Sequence, residues 1–112
     1  MEKRQVVDCL APTLAHGILC DCLEDGRIIP SRHFREELLK ENLTFEDAWH
    51  VLRTGRIFDP GELDNKMREW KYRIEGVEPG GKFIAIVFCF KELDTALLIT
   101  IFSVDSQRRY RQ

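Results

Sequence analysis

Hydrophobic positions in the first quarter of the chain recur at helical spacing. From Thr13 to Leu23 the apolar residues fall three or four positions apart, which is typical of one buried face of an α-helix. Pro12 before this segment and Gly26 after it are start and stop signals. The segment 27–30 ends in a proline, which prevents helix continuation and favours an extended backbone. The pattern predicts a helix followed by a short extended segment.

Two further helices are predicted before residue 56. Ser31 stands at an N-cap position, and the helix that it begins runs to about Glu41, where Asn42 can adopt the left-handed conformation that closes a helix. Thr44 and Asp47 have the spacing of a capping box, in which each side chain bonds the other residue's backbone amide. One face of this third helix is apolar and consists of Phe45, Ala48, Trp49 and Leu52. Gly55 ends it.

The second half of the chain changes to a period of two. Apolar residues at 70, 72 and 74 alternate with Lys71, Arg73 and Glu75, which predicts a strand with one buried and one exposed side. Lys82–Phe90 and Ala96–Val104 are apolar at odd and even positions alike, as expected of strands covered on both faces. Short connections at 76–81 and 91–95 make these three strands an antiparallel meander.

These elements predict an α+β fold in which N-terminal helices pack on one side of an antiparallel sheet of three to four strands. The chain has 112 residues, of which 44% are hydrophobic, and no repeat or Gly/Pro/Ser-rich linker divides it. We therefore expect one domain over 1–112, with a core at about 14–104 and a short basic tail at 105–112.

Charge and hydropathy limit the classes of function. The net charge of −2 removes any global electrostatic case for nucleic-acid binding and leaves only a local patch such as the basic tail at 107–111. A solvated tail without that role is the alternative. The longest apolar run, Phe83–Phe90, is too short to cross a bilayer, and no stretch has the length of a secretory signal. The expectation is a cytoplasmic protein without a membrane partner.

The cysteine pattern and the absence of known cofactor-binding motifs predict that the protein binds neither a metal nor a cofactor. Four thiols, expected to be reduced, are present: Cys9, Cys20, Cys22 and Cys89. A zinc site made of His16 and the first three thiols is an alternative, although Cys20 and Cys22 lack the spacing of structural zinc sites. Cys89 lies in an apolar strand and is expected to be a buried hydrophobe. The chain has no P-loop, dinucleotide-binding, nucleophile-elbow or H-E-x-x-H motif.

Two residues are candidates for chemistry. His33 is predicted at the second position of its helix, where the amide dipoles keep an imidazole neutral and able to act as a base. Its alternative role is structural hydrogen bonding. Arg73, flanked by Lys71 on the exposed side of its strand, is suited to binding a phosphate. The alternative for Arg73 is a salt bridge to Glu75 or to a neighbouring strand.

Five ordered segments resemble a known family. They are IIPSRH (28–33), LTFED (43–47), VLRTGRI (51–57), YRIEG (72–76) and LITI (98–101). This set resembles the bacterial domain-of-unknown-function family 4258 over roughly residues 14 to 104. That family is described as similar to the RelE and BrnT toxins, whose fold places N-terminal helices against a curved antiparallel sheet and whose characterised members cleave RNA. The tail at 106–110 is similar to the closing segment of the BrnT group.

The resemblance implies roles for individual residues. Ser31 and His33 match the motif that opens the family's second helix, and Arg73 matches its strand arginine. Asn42 replaces a glycine that is usual in the family. Thr100 stands where BrnT-like toxins carry an arginine, so this chain lacks one of the basic residues expected in their active site.

The function that the resemblance implies is metal-independent RNA cleavage by a toxin held in check by a small antitoxin. His33 would be the base or acid and Arg73 the phosphate clamp. The secondary substrate-binding cations would be Lys71, Arg53, Arg108 and Arg109. The alternative is an inactive interaction module that uses its sheet surface to dock another protein or a second copy of itself as a homodimer.

Overall fold

The computed structural model describes residues 8–104, which form three helices and six strands. The helices are α1 (Pro12–Glu24), α2 (Arg32–Lys40) and α3 (Phe45–Thr54). The strands are β1 (Arg27–Pro30), β2 (Arg56–Ile57), β3 (Glu62–Asp64), β4 (Glu69–Val77), β5 (Phe83–Glu92) and β6 (Thr95–Ser103). The α+β class is confirmed, and each predicted helix and strand is present within two residues of its expected bounds.

The sheet is mixed, with the order β1-β6-β5-β4-β2, and β3 also pairs with β4. The predicted antiparallel meander of β4, β5 and β6 is confirmed. The prediction of three to four strands, all antiparallel, is wrong, because β1 pairs in parallel with β6 while β2 and β3 add to β4. Strands of two and three residues are too short to show a hydrophobic period, and the partner of an extended segment is not encoded locally.

The helix termini follow the predicted capping chemistry. Ser31 Oγ accepts a 3.0 Å hydrogen bond from the amide of Phe34 and donates one of 3.1 Å to the carbonyl of Ile99 in β6. Thr44 and Asp47 form the reciprocal capping box, with bonds of 3.1 and 2.9 Å. Asn42 has a φ of 62° and closes α2 in the left-handed conformation. Both ends of α2 and the start of α3 were therefore predictable from individual residues.

One face of the sheet carries the hydrophobic core. Tyr72 and Ile74 of β4 lie opposite Phe88 and Ile86 of β5, and all four belong to the same buried cluster as residues from the three helices. The residues that alternate with them point to the other side, called here the outer face. The outer face includes Arg56, Glu62, Asp64, Glu69, Lys71, Arg73, Glu75, Ala85, Val87, Cys89, Thr100 and Phe102, together with Lys91, which pairs with Glu69.

Within residues 8–104 no helix is long and apolar enough to span a membrane.

Candidate functional site

Two rows of side chains cross the centre of the outer face. In the first row Arg73 of β4 lies opposite Val87 of β5, which in turn lies opposite Thr100 of β6. The second row, one pleat further along the strands, runs from Glu75 through Ala85 to Phe102. The alternation of side chains in a strand places both rows on the same side of the sheet.

Arg73 spans the two rows diagonally. Its guanidinium carbon lies 5.1 Å from the centre of the Phe102 ring, a cation-π distance. Its Nε is buried and lies 2.9 Å from Glu75 Oε2, but without the alignment of a hydrogen bond. Ala85 lies between Glu75 and Phe102 in the ladder and is fully buried. Arg73 is thereby held between a carboxylate and an aromatic ring.

Glu75 is the buried member of this group. The sequence predicts it on the exposed side of β4 with Lys71 and Arg73, and the exposure part of that prediction is wrong, since only 2% of the Glu75 side chain is accessible. The ion pair between Arg73 and Glu75, the alternative that the sequence allowed, is present. Arg56 of β2 lies opposite Glu75 in the ladder, with its guanidinium carbon 5.3 Å from the centre of the Phe58 ring.

The other ion pairs on the strands of this face share one asymmetry, namely that the cation is the more exposed partner. Lys71 Nζ lies 2.8 Å from Asp64, with side-chain exposures of 37% and 21%. Lys91 Nζ lies 2.5 Å from Glu69, with exposures of 40% and 24%. Arg73 is 42% exposed against 2% for Glu75. The hydrogen bond from Lys71 lowers the pKa of Asp64, and that to Glu69 raises the pKa of Lys91.

The residues predicted to act together are only partly brought together. Lys71 and Arg73 share the outer face of β4. His33 is exposed on α2, and Arg53 is exposed on α3, so both lie in the helix layer on the other side of the sheet. Arg108 and Arg109 lie outside the described residues. The geometry thus separates His33 from Arg73.

The alternative zinc ligands also point to separate partners. His16 Nε2 lies 3.0 Å from the carbonyl oxygen of Leu52, whereas the Cys22 thiol donates to the carbonyl of Leu93. Among residues 8–104 no three His, Cys, Asp or Glu side chains are arranged to hold a metal ion.

Buried thiols in this part of the chain are not poised as nucleophiles. Burial raises the pKa of Cys22 to about 11 and that of Cys89 to about 12, and in Cys89 the carboxylate of Glu69 adds to the effect. A thiol with such a pKa stays protonated at neutral pH.

Sequence reasoning missed Arg56 and Phe102. Arg56 belongs to a strand of two residues, which gives no periodic signal. Phe102 stands in a segment that is apolar at both parities, so its side of the sheet could not be assigned. The register that brings Phe102 under Arg73 also depends on the shift between Val87 and Phe88 in the β5–β6 ladder.

A comparison with protein-family models matches residues 30–103 to a family described as a domain of unknown function (DUF4258). The matched segment begins at the end of β1 and includes α2, α3 and the strands β2 to β6. Neither a curated protein nor a solved structure matches the chain.

Proposed function

The chain belongs to the DUF4258 family, whose description assigns no activity, and we propose from the geometry of the outer face that it is a binding module for an acidic protein segment. The segment would place a carboxylate against the exposed guanidinium of Arg73 and an apolar side chain against Val87 and Phe102. A small antitoxin, the partner implied by the RelE/BrnT resemblance, would be a protein of this kind.

The observation that carries the proposal is the exposure asymmetry of the ion pairs. In all three pairs the cation is the more accessible partner, so each pair presents its positive member outermost although the pair is neutral overall. A complementary partner is therefore acidic. Val87 and Phe102 on the same face are only half-buried, and apolar area of this kind favours a protein ligand.

A protein segment fits the face better than RNA does. Each of Lys71, Arg73 and Lys91 already shares its charge with a carboxylate, and the whole chain carries a net charge of −2. Binding to a phosphate backbone draws on several cations at once and usually leaves a basic footprint.

RNA cleavage is the second candidate, favoured by the position of Lys71 and Arg73 on one face. Such an activity would work without His33, which lies in the other layer. The joint catalytic role of His33 and Arg73, and the substrate roles of Arg53, Arg108 and Arg109, stay predictions from the sequence.

The proposal is tested by selecting ligands for the purified chain from a random peptide library displayed on phage. We expect enrichment of peptides with Asp or Glu beside a large apolar residue. Loss of one charged contact would weaken binding of a synthetic selected peptide about tenfold in Arg73→Ala. Arg32→Ala, which removes an exposed arginine from α2, is the matched control and should bind as the wild type does. Selection without an acidic preference, or equal binding by Arg73→Ala, would overturn the proposal.

A second arm of the experiment separates the two candidates. Wild type, Arg73→Ala and His33→Ala are each incubated with a labelled single-stranded RNA. The binding-module proposal predicts no cleavage by any of them. Cleavage by the wild type and by His33→Ala, but not by Arg73→Ala, would establish the second candidate instead.

A further inference from the structure

The helix layer carries a surface depression on α3, remote from the outer face. It is lined by Phe45, Glu46, Trp49 and Arg53. Phe45 is 43% exposed, and its ring meets that of Trp49 edge to face, with the centres 5.5 Å apart and the planes at 88°. Phe45 and Trp49 are one turn apart, so the two rings form a short aromatic stripe along the flank of the helix.

The two charged residues of this depression have no ion-pair partner among residues 8–104. Glu46 lies in the first turn of α3 and Arg53 in the last. The two are seven positions apart, which puts both on one side of the helix but about 10 Å apart along its axis, too far to pair with each other. Each charge is therefore available to a group outside the chain.

We propose that α3 packs antiparallel against α3 of a second copy of this chain. The midpoint between Glu46 and Arg53 falls at Trp49–His50. A two-fold axis through this point would bring Glu46 of each copy opposite Arg53 of the other, with Trp49 of each copy between the two ion pairs and Phe45 at each end of the contact. The depression is thus complementary to itself in charge, as an isologous two-fold interface requires. The antiparallel arrangement also sets the two helix dipoles in opposite directions.

This dimer is independent of the proposed binding function, because its residues lie on the side of the sheet away from Arg73. A contact of two helical turns is small for a protein interface, so we expect a weak dimer that forms in the micromolar range.

Sedimentation equilibrium of the full chain across the micromolar range tests the dimer by charge exchange. Glu46→Arg would set arginine against arginine at both ends of the interface, and Arg53→Glu would set acid against acid. Each single variant should raise the dimer dissociation constant at least about tenfold, and the double variant should return it to within about threefold of wild type. Glu36→Arg makes the same change of charge on the exposed side of α2, and it should leave the constant unchanged.

Rescue by the double exchange after weakening by both single exchanges is the decisive result. A folding defect would not be repaired by a second exchange, and a general effect of net charge would not weaken the dimer in both single variants, because they shift the net charge in opposite directions. Circular dichroism melts confirm that each variant is folded. A wild type that stays monomeric throughout the range, or single variants that dimerise as the wild type does, would overturn the proposal.

Discussion

Ser103 Oγ donates a 2.6 Å hydrogen bond to the carboxylate of Glu41 and so ties the end of α2 to the end of β6. Lys82 Nζ adds a 2.8 Å bond to the carbonyl oxygen of Glu41. The bond from Ser103 is the main reason that the pKa of Glu41 is lowered, with Lys82 contributing further. This contact joins the helix layer to the strands at one corner of the molecule.

The lowered pKa of Glu41 predicts a pH dependence of stability. A carboxyl group with a folded-state pKa below its unfolded value stabilises the fold above the unfolded pKa, and this contribution is lost as the pH falls through the folded pKa. Glu41→Gln should reduce the free energy of unfolding by less than about 1 kcal/mol at pH 7, because the contact is near the surface. The difference from wild type should vanish below the ordinary range for glutamate. Urea titrations at several pH values measure it, and a difference that persists in acid would contradict the assignment.

The N-cap of α2 should matter for folding and His33 should not. Ser31→Ala removes the bond to the Phe34 amide and the bond to the Ile99 carbonyl, so we expect a loss of about 1–2 kcal/mol. His33→Ala changes an exposed side chain two positions further along the chain and should alter stability by no more than about 0.5 kcal/mol. Thermal melts of both variants provide the comparison, and a large loss for His33→Ala would show that its ring has a structural partner.

Two glycines should respond in opposite directions to alanine. A Cβ on Gly55 would lie 2.6 Å from the Val51 carbonyl oxygen and 2.7 Å from that of Glu75, both fixed backbone atoms. Gly55→Ala should therefore cost about 1–3 kcal/mol. A Cβ on Gly17, inside α1, would meet no atom within 4 Å other than its chain neighbours and the backbone of its own helix, and Gly17→Ala should stabilise the chain by up to about 1 kcal/mol. Equal effects of the two substitutions in denaturant titrations would refute the close contact at Gly55.

The thiols should differ in reactivity according to burial. Cys22 and Cys89, with pKa values raised to about 11 and about 12, stay protonated at pH 8, and burial also raises the pKa of Cys20. Cys9 is exposed. A disulfide reagent should thus modify Cys9 fastest in the native protein and all four thiols after denaturation. Cys9→Ser should remove the fast phase, and a fast phase that survives this substitution would locate an unexpected reactive thiol.

Local chemistry made much of the fold predictable. Ser31, Thr44 with Asp47, and Asn42 each specify a helix end through bonds within a few residues, and the alternation at 70–75 specifies a strand through its own period. Pairing across the chain has no such local signal. The parallel contact of β1 with β6 joins residues about 70 positions apart, and the sequence of residues 27–30 shows only that they are extended.

The candidate site was less predictable than the fold for the same reason. Arg73 could be recognised because it follows a clear alternation, but its partners could not. Phe102 belongs to a strand that is apolar on both faces, so the side of the sheet on which it lies could not be predicted. The burial of Glu75 depends on which residues the neighbouring strands place around it. His33 and Arg73 are linked by a resemblance of motifs, whereas their separation in space follows from the packing of α2 on the core side.

The position of Thr100 allows a direct test of the outer face. Thr100 stands two strands from Arg73 in the same row, about 10 Å away at ordinary strand spacing. Thr100→Arg would add a second cation to the face that we propose binds an acidic segment, and it should tighten binding of a selected acidic peptide by a few-fold, with the gain reduced at high salt. Thr100→Gln, similar in size but uncharged, is the control and should leave affinity near that of wild type. Fluorescence anisotropy with the labelled peptide measures all three proteins. An arginine that weakens peptide binding without unfolding the chain would indicate that the acidic segment does not lie across this row.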